Sequence, residues 1–209
     1  MVNKKANQKN LKYIREEFGR TLFFEGKYTT HLERAVEVKM SAGATQNSLY
    51  GLFPPLADVQ ILLDRERLGK LVTEEKGIDF KYYFDDQGRV IMIERFDPTS
   101  QYGDKLVSTI FVEYEQKRQI DVIFCKGRTE HITTVAQCKL DLFGRLIRYM
   151  ECTCGVNDFP YVYRVMSLQH VAKTVKVRHT VYSVWQDGDE TVTSFTKYLY
   201  KNGQLRQIP

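Results

Sequence analysis

The run Ile78-Asp79-Phe80-Lys81-Tyr82-Tyr83-Phe84-Asp85-Asp86-Gln87-Gly88-Arg89-Val90-Ile91-Met92-Ile93-Glu94-Arg95-Phe96 decides the fold. Its two flanks are rich in aromatic and β-branched residues, which suit a pleated sheet. Between them stand turn formers. Glycine accepts the positive φ that other residues resist, and an aspartate carboxylate bonds the amides of its own turn. Two strands joined by a tight turn are the expected product.

Downstream, the same alternation repeats to the end of the chain. It places strands at about 78–85, 89–96, 106–115, 119–126, 131–141, 145–153, 161–171, 174–186, 191–201 and 204–208. Upstream the period changes. Leu11, Ile14 and Phe18 recur at helical spacing between Asn7 and Arg20, with Asn7 or Asn10 as cap and Gly19 as terminator. A second helix is expected from Leu56 to Gly69, with Leu56, Val59, Leu62 and Leu63 as its apolar stripe and Asp58 in its first turn. The loop-like stretch 41–51 and Pro54-Pro55 precede it. Between the two helices, Thr21–Phe24 and Lys27–Thr30 flank Glu25-Gly26 and read as a small hairpin. The stretch His31–Met40 then puts Leu32, Val36, Val38 and Met40 on one parity.

The expected fold is therefore α+β and strongly β-rich: two short N-terminal helices and a large antiparallel β-meander of repeated hairpins. Residues 1–77 form the helical and hairpin region and 78–209 the meander, in one cooperative unit.

One turn element recurs. It runs aromatic or Leu, acid, two spacers, Gly, Arg, aliphatic, as Phe84-Asp85-Asp86-Gln87-Gly88-Arg89-Val90 and Leu140-Asp141-Leu142-Phe143-Gly144-Arg145-Leu146. Looser copies are Tyr114-Glu115-Gln116-Lys117-Arg118-Gln119-Ile120 and Tyr200-Lys201-Asn202-Gly203-Gln204-Leu205. Asn202-Gly203 is itself a strong hairpin signal. These four segments resemble the Tyr-Asp hairpin repeats of bacterial Rhs-type and teneurin shells, in which Tyr, Asp, Gly and Arg stand in a similar order. The resemblance implies a broad sheet of stacked hairpins and an association with bacterial toxins and their immunity proteins.

Composition bounds the rest. In 209 residues, 43% hydrophobic and 27% charged is a mixture that can bury a core, which excludes disorder as the default. The formal charge is +5, and 31 Lys and Arg are interleaved with 26 Asp and Glu, unlike the concentrated stripe of a dedicated nucleic-acid binder. The first twenty residues are the exception. There Lys4, Lys5, Lys9, Lys12, Arg15 and Arg20 face Glu16 and Glu17. No apolar run approaches the roughly 18 residues of a membrane span, and no apolar core follows the N-terminal lysines as in a signal peptide. The expectation is a cytoplasmic protein with no membrane partner. Cys125, Cys138, Cys152 and Cys154 are too few to staple a chain this long and read as thiols.

Few residues point to chemistry. Cys152 and Cys154 share a strand face, but structural zinc sites favour pairs separated by two to four residues, so buried thiols are the better reading. A cysteine nucleophile would need a histidine beside it, and His131, His170 and His179 fall on predicted strands with nothing to fix such a pair. Asp85-Asp86 is accounted for by its turn. No Gly-x-Ser-x-Gly elbow, Walker loop, His-Glu-x-x-His or dinucleotide fingerprint is present. No catalytic residue, metal or cofactor is assigned.

The most suggestive surface is the basic and aromatic interleaving along Tyr161, Tyr163, Arg164, Lys173, Lys176, Arg178, His179, Tyr182 and Trp185. Lys176 and Arg178 share one parity and Val175 and Val177 the other, which makes a cationic outer face over an apolar inner one. Such a face can receive an acidic protein or a nucleic-acid strand, or serve only to keep sheet edges apart. The expected function is that of a non-enzymatic protein-binding module resembling a bacterial immunity protein or antitoxin. Arg89, Arg145, Arg148, Tyr149, Lys176, Arg178 and Trp185 are its candidate binding residues, because Arg and aromatic side chains dominate interfaces. Two further readings stay open: a nucleic-acid-binding protein using the basic sheet face, and a small hydrolase or ligand-binding β-domain.

Overall fold

The computed structural model describes residue 16 and residues 23–42, 70–75, 77–97, 105–115, 118–154, 161–185, 188–201 and 204–208. Their elements are helix α1 (Phe24–Arg34) and strands β1 (Glu37–Ala42), β2 (Lys70–Val72), β3 (Phe80–Phe84), β4 (Val90–Asp97), β5 (Lys105–Glu115) and β6 (Gln119–Lys126). Then follow β7 (Ile132–Leu140), β8 (Leu146–Cys154), β9 (Tyr161–Val171), β10 (Thr174–Trp185), β11 (Gly188–Lys201) and β12 (Gln204–Ile208). Hydrogen-bonded neighbours follow chain order from β3 to β12, with β1 beside β3 and β2 beside β1. The protein is a β-rich antiparallel meander, as the turn spacing implies.

Two helices are not what the described residues contain. Glu16 is helical, but the remainder of the predicted 7–20 helix and all of the predicted 56–69 helix lie outside the described residues. The hairpin predicted around Glu25-Gly26 is overturned, because Phe24–Arg34 is a helix. Gly26 and the β-formers Tyr28, Thr29 and Thr30 favour an extended chain locally; the tertiary contacts of one helix face outweigh that preference. Phe24 packs edge-on against Phe111 at 5.5 Å and stacks on Tyr28 at 5.7 Å, and the His31 ring lies 5.0 Å from Phe111. Positions 24, 28 and 31 are spaced as i, i+4 and i+7, one helical stripe. Phe24 is 2% exposed, and burying a ring of that size contributes about 2 kcal/mol.

The described residues divide into two compact units, one within Leu22–Glu113 and Ile123–Ile132, the other within Tyr114–Val122 and Thr133–Pro209. In the first, β1 pairs with β3 from Glu37↔Phe84 to Ser41↔Phe80, so residues on both sides of Gly77 share a sheet. Ile91 and Ile93 on one face of β4 and Met92 on the other are all fully buried, which is why the sequence there is a continuous apolar run without alternation.

The repeated turn element is a repeated structure. In the β3–β4 hairpin, Gly88 has φ +69° and its amide donates to the Asp85 carbonyl at 2.9 Å, while the Asp85 amide donates to the Arg89 carbonyl. The Asp85 carboxylate takes the amides of Gln87 and Arg89 on Oδ1 and the Arg89 guanidinium on Oδ2. Asp141 does the same in the β7–β8 hairpin: Oδ1 accepts from Phe143 and Arg145, Oδ2 from the Arg145 side chain, and Gly144 has φ +75°. A register shift precedes the turn in both, at Tyr83/Phe84 and Lys139/Leu140. This is a turn followed by a left-handed residue that forms a bulge. In the third copy Arg118 holds the glycine's place at φ +60°. In the fourth, Lys201↔Gln204 pairing leaves a two-residue connection, the length expected around Asn202-Gly203.

Candidate functional site

The second unit carries a groove over β9, β10 and β11. Cross-strand register builds it in two rows. Arg148, Ser167, Arg178 and Phe195 are successive partners across β8–β11, and Gln169, Lys176 and Lys197 form the adjacent row. Because side chains alternate, both rows lie on one face, while Leu168, Val175 and Val177 are buried on the other. The groove encloses about 420 Å³. The Arg178 guanidinium stands 5.7 Å from the Phe195 ring centroid, and that ring is 75% exposed. Lys176 and Lys197 are exposed beside them, so the rim is cationic and the floor largely carbon.

Along β10 this character ends within two residues. Thr180 and Tyr182 continue the face of Arg178 but are buried, and Met150, Cys152, Tyr163, Val165 and Tyr182 form an apolar cluster there. The cationic outer face expected from parity is thus real at 176–178 and stops before Tyr163 and Tyr182, which are buried.

The other candidate binding residues are dispersed. Arg89 and Arg145 are tied into their hairpins by Asp85 and Asp141. Arg148 belongs to the groove row, but Tyr149 does not reach the surface: it is buried, on the opposite face, and its hydroxyl donates to Glu151. The expectation that Tyr149 is a surface contact is corrected by strand alternation itself, since neighbours in a strand cannot share a face. Trp185 ends β10, paired with Gly188.

Two buried ionic networks escaped the sequence reading. In the first unit Glu94, 1% exposed, accepts from the Tyr28 hydroxyl at 2.9 Å, the Tyr83 hydroxyl at 2.6 Å and the Arg128 guanidinium at 2.9 Å. Burial, and then the Glu94 charge, push the Tyr28 hydroxyl up to about 12 and the Tyr83 hydroxyl higher. In the second unit Glu151 accepts from Tyr149 and Arg164. A carboxylate in a strand that otherwise reads as core was the only available signal.

Cys125 and Cys138 are not poised as nucleophiles. Burial raises Cys125 to about 12, and burial aided by Asp121 and Glu151 raises Cys138 further. Cys138 pairs with Tyr149, so it and Cys152 occupy opposite faces of the sheet. Among the described residues, no three His, Cys, Asp or Glu are placed to hold a metal ion. The His170 Nε2 donates to the Leu146 carbonyl, and His179 is held below its ordinary value by burial and by the Arg164 charge.

No family model, curated protein or solved structure matches this chain. Among the described residues, no helix is long and apolar enough to cross a membrane.

Proposed function

We propose that this protein is a non-enzymatic binding module of the cytoplasm, whose β9–β11 groove receives an acidic segment of another protein. The observation that carries the reading is the pairing of Lys176, Arg178 and Lys197 with the exposed Phe195 over a carbon-lined floor. Cations around an apolar floor complement a segment that alternates acidic and apolar side chains, and Arg with an aromatic ring is the composition of an energetic hot spot. A single-stranded nucleic acid is served less well, since successive bases need successive stacking rings and the groove supplies one. The immunity-protein reading rests on the resemblance of the hairpin elements to Rhs-type repeats and is a narrower form of the same proposal.

The test is capture from native host lysate, with and without nuclease, by the wild-type protein and by Lys176→Glu with Arg178→Glu. A stoichiometric protein that survives nuclease and is lost with the charge-reversed groove supports the reading. Retained nucleic acid whose binding falls steeply with salt would replace it with the nucleic-acid reading. A protein captured equally by both forms would place the interface elsewhere.

A further inference from the structure

The two well-defined copies of the turn element form an internal control. Asp85–Arg89 and Asp141–Arg145 close their hairpins with the same bonds, yet the two residues at the apex are Asp86 and Gln87 in one and Leu142 and Phe143 in the other. Polar side chains therefore satisfy the turn. Leu142 and Phe143 are 75% and 80% exposed, so neither folding geometry nor core packing accounts for two large apolar residues there.

Their surroundings are not neutral. The β7–β8, β9–β10 and β11–β12 connections leave the same end of this unit's sheet, as the registers Arg148↔Ser167 and Thr174↔Leu199 require of successive antiparallel strands. That end carries exposed Val171, the Asp141–Arg145 pair, whose charges offset each other, and the exposed cations Lys139 and Lys173, with exposed Arg118 and Glu115 of opposite sign at the β5–β6 connection beside them. The opposite end begins β11 with Asp189 and Glu190. Charge is thus polarised along the strands, with the apolar apex at the positive end.

We propose that this end docks on an anionic membrane surface, with Leu142 and Phe143 entering the interface and Lys139 and Lys173 meeting acidic headgroups. A projecting apex needs no matching pocket in a bilayer, whereas a protein partner would have to supply one. Lysines and arginines beside anionic lipid add attraction that a few inserted apolar groups alone lack. The Asp141–Arg145 bonds, with the Arg145 guanidinium 5.1 Å from the Phe143 ring centroid, hold the apex in shape beforehand. The absence of a spanning run, on which the expectation of no membrane partner rested, has no bearing on such surface docking. The proposal is independent of the groove and its partner.

The test is co-sedimentation of the full chain with vesicles of phosphatidylcholine alone and with about one third phosphatidylserine. Binding is expected to the anionic vesicles only, to weaken with salt, and to fall at least about tenfold in Leu142→Ser with Phe143→Ser. Circular dichroism and thermal melting of that variant should match the wild type, because the sister hairpin carries polar residues at both places. Absence of binding to anionic vesicles would overturn the proposal. So would binding that the variant leaves unchanged, which would reduce the effect to net charge. A lipid-independent, concentration-dependent dimer that the variant abolishes would overturn it in favour of self-association.

Discussion

The Asp141 carboxylate takes the backbone amide of Arg145 on Oδ1 at 3.0 Å and its guanidinium on Oδ2 at 2.8 Å, so one residue pair closes the β7–β8 hairpin twice. Desolvation works to raise this carboxyl, but the Arg145 bonds prevail and hold it at about 2. Its folded value lies below the unfolded value near 3.9, so its contribution is present above that pH and is lost as pH falls toward 2. Asp141→Asn, which keeps an acceptor but removes the charge, should flatten the acid limb of a stability-versus-pH curve measured by urea denaturation. An unchanged limb would mean that the pair does not hold in solution.

Glycine positions in these hairpins make a conformational prediction. Nothing lies within 4 Å of a Cβ built on Gly88 or Gly144, so alanine there is opposed only by the positive φ. Each substitution should cost about 1 kcal/mol. The converse applies to Arg118 at φ +60° and Ala172 at φ +52°, the latter opening the two-residue β9–β10 turn. Arg118→Gly and Ala172→Gly should each stabilise by roughly 0.5–1 kcal/mol, read as a higher urea midpoint. Loss of stability in either would refute the left-handed assignment.

Acid should destabilise the protein before any carboxylate titrates. His31 is buried, its Nδ1 donating to the Lys27 carbonyl and its Nε2 facing Glu113 at 3.5 Å, with Lys27 also bridged to Glu113. Burial holds His31 and His179 below the ordinary histidine value. As pH falls below about 6.5 the unfolded chain takes up protons that the folded chain refuses, so stability drops with pH in that window. Denaturation midpoints at several pH values below neutrality should show this slope, and His31→Gln should reduce it.

Glu94 gathers two hydroxyls and a guanidinium, so its truncation should be costly. Glu94→Ala would leave the buried Tyr83 hydroxyl and the half-buried Tyr28 hydroxyl without their acceptor, while the largely exposed Arg128 guanidinium returns to water, at a cost of about 2–3 kcal/mol. Tyr83→Phe should cost about 1 kcal/mol, since the carboxylate keeps its other two partners. Equal losses for the two variants in thermal melting would mean that Glu94 is not the hub.

By itself the sequence determined the hairpins. Asp85, Gly88, Arg89 and their counterparts at 141, 144 and 145 act within five residues of chain, and a turn that supplies its own hydrogen bonds needs nothing distant to form. Strand parity likewise placed Lys176 and Arg178 opposite Val175 and Val177. Tertiary structure decided what local propensity misreads. Phe24, Tyr28 and His31 form a helix stripe because Phe111 and Glu94 are there to receive it, and Tyr149 is inside because Glu151 and Arg164 satisfy its hydroxyl environment. Those partners lie from two to almost ninety residues away, and a polar residue counts as core only when its hydrogen-bonding partner is buried with it.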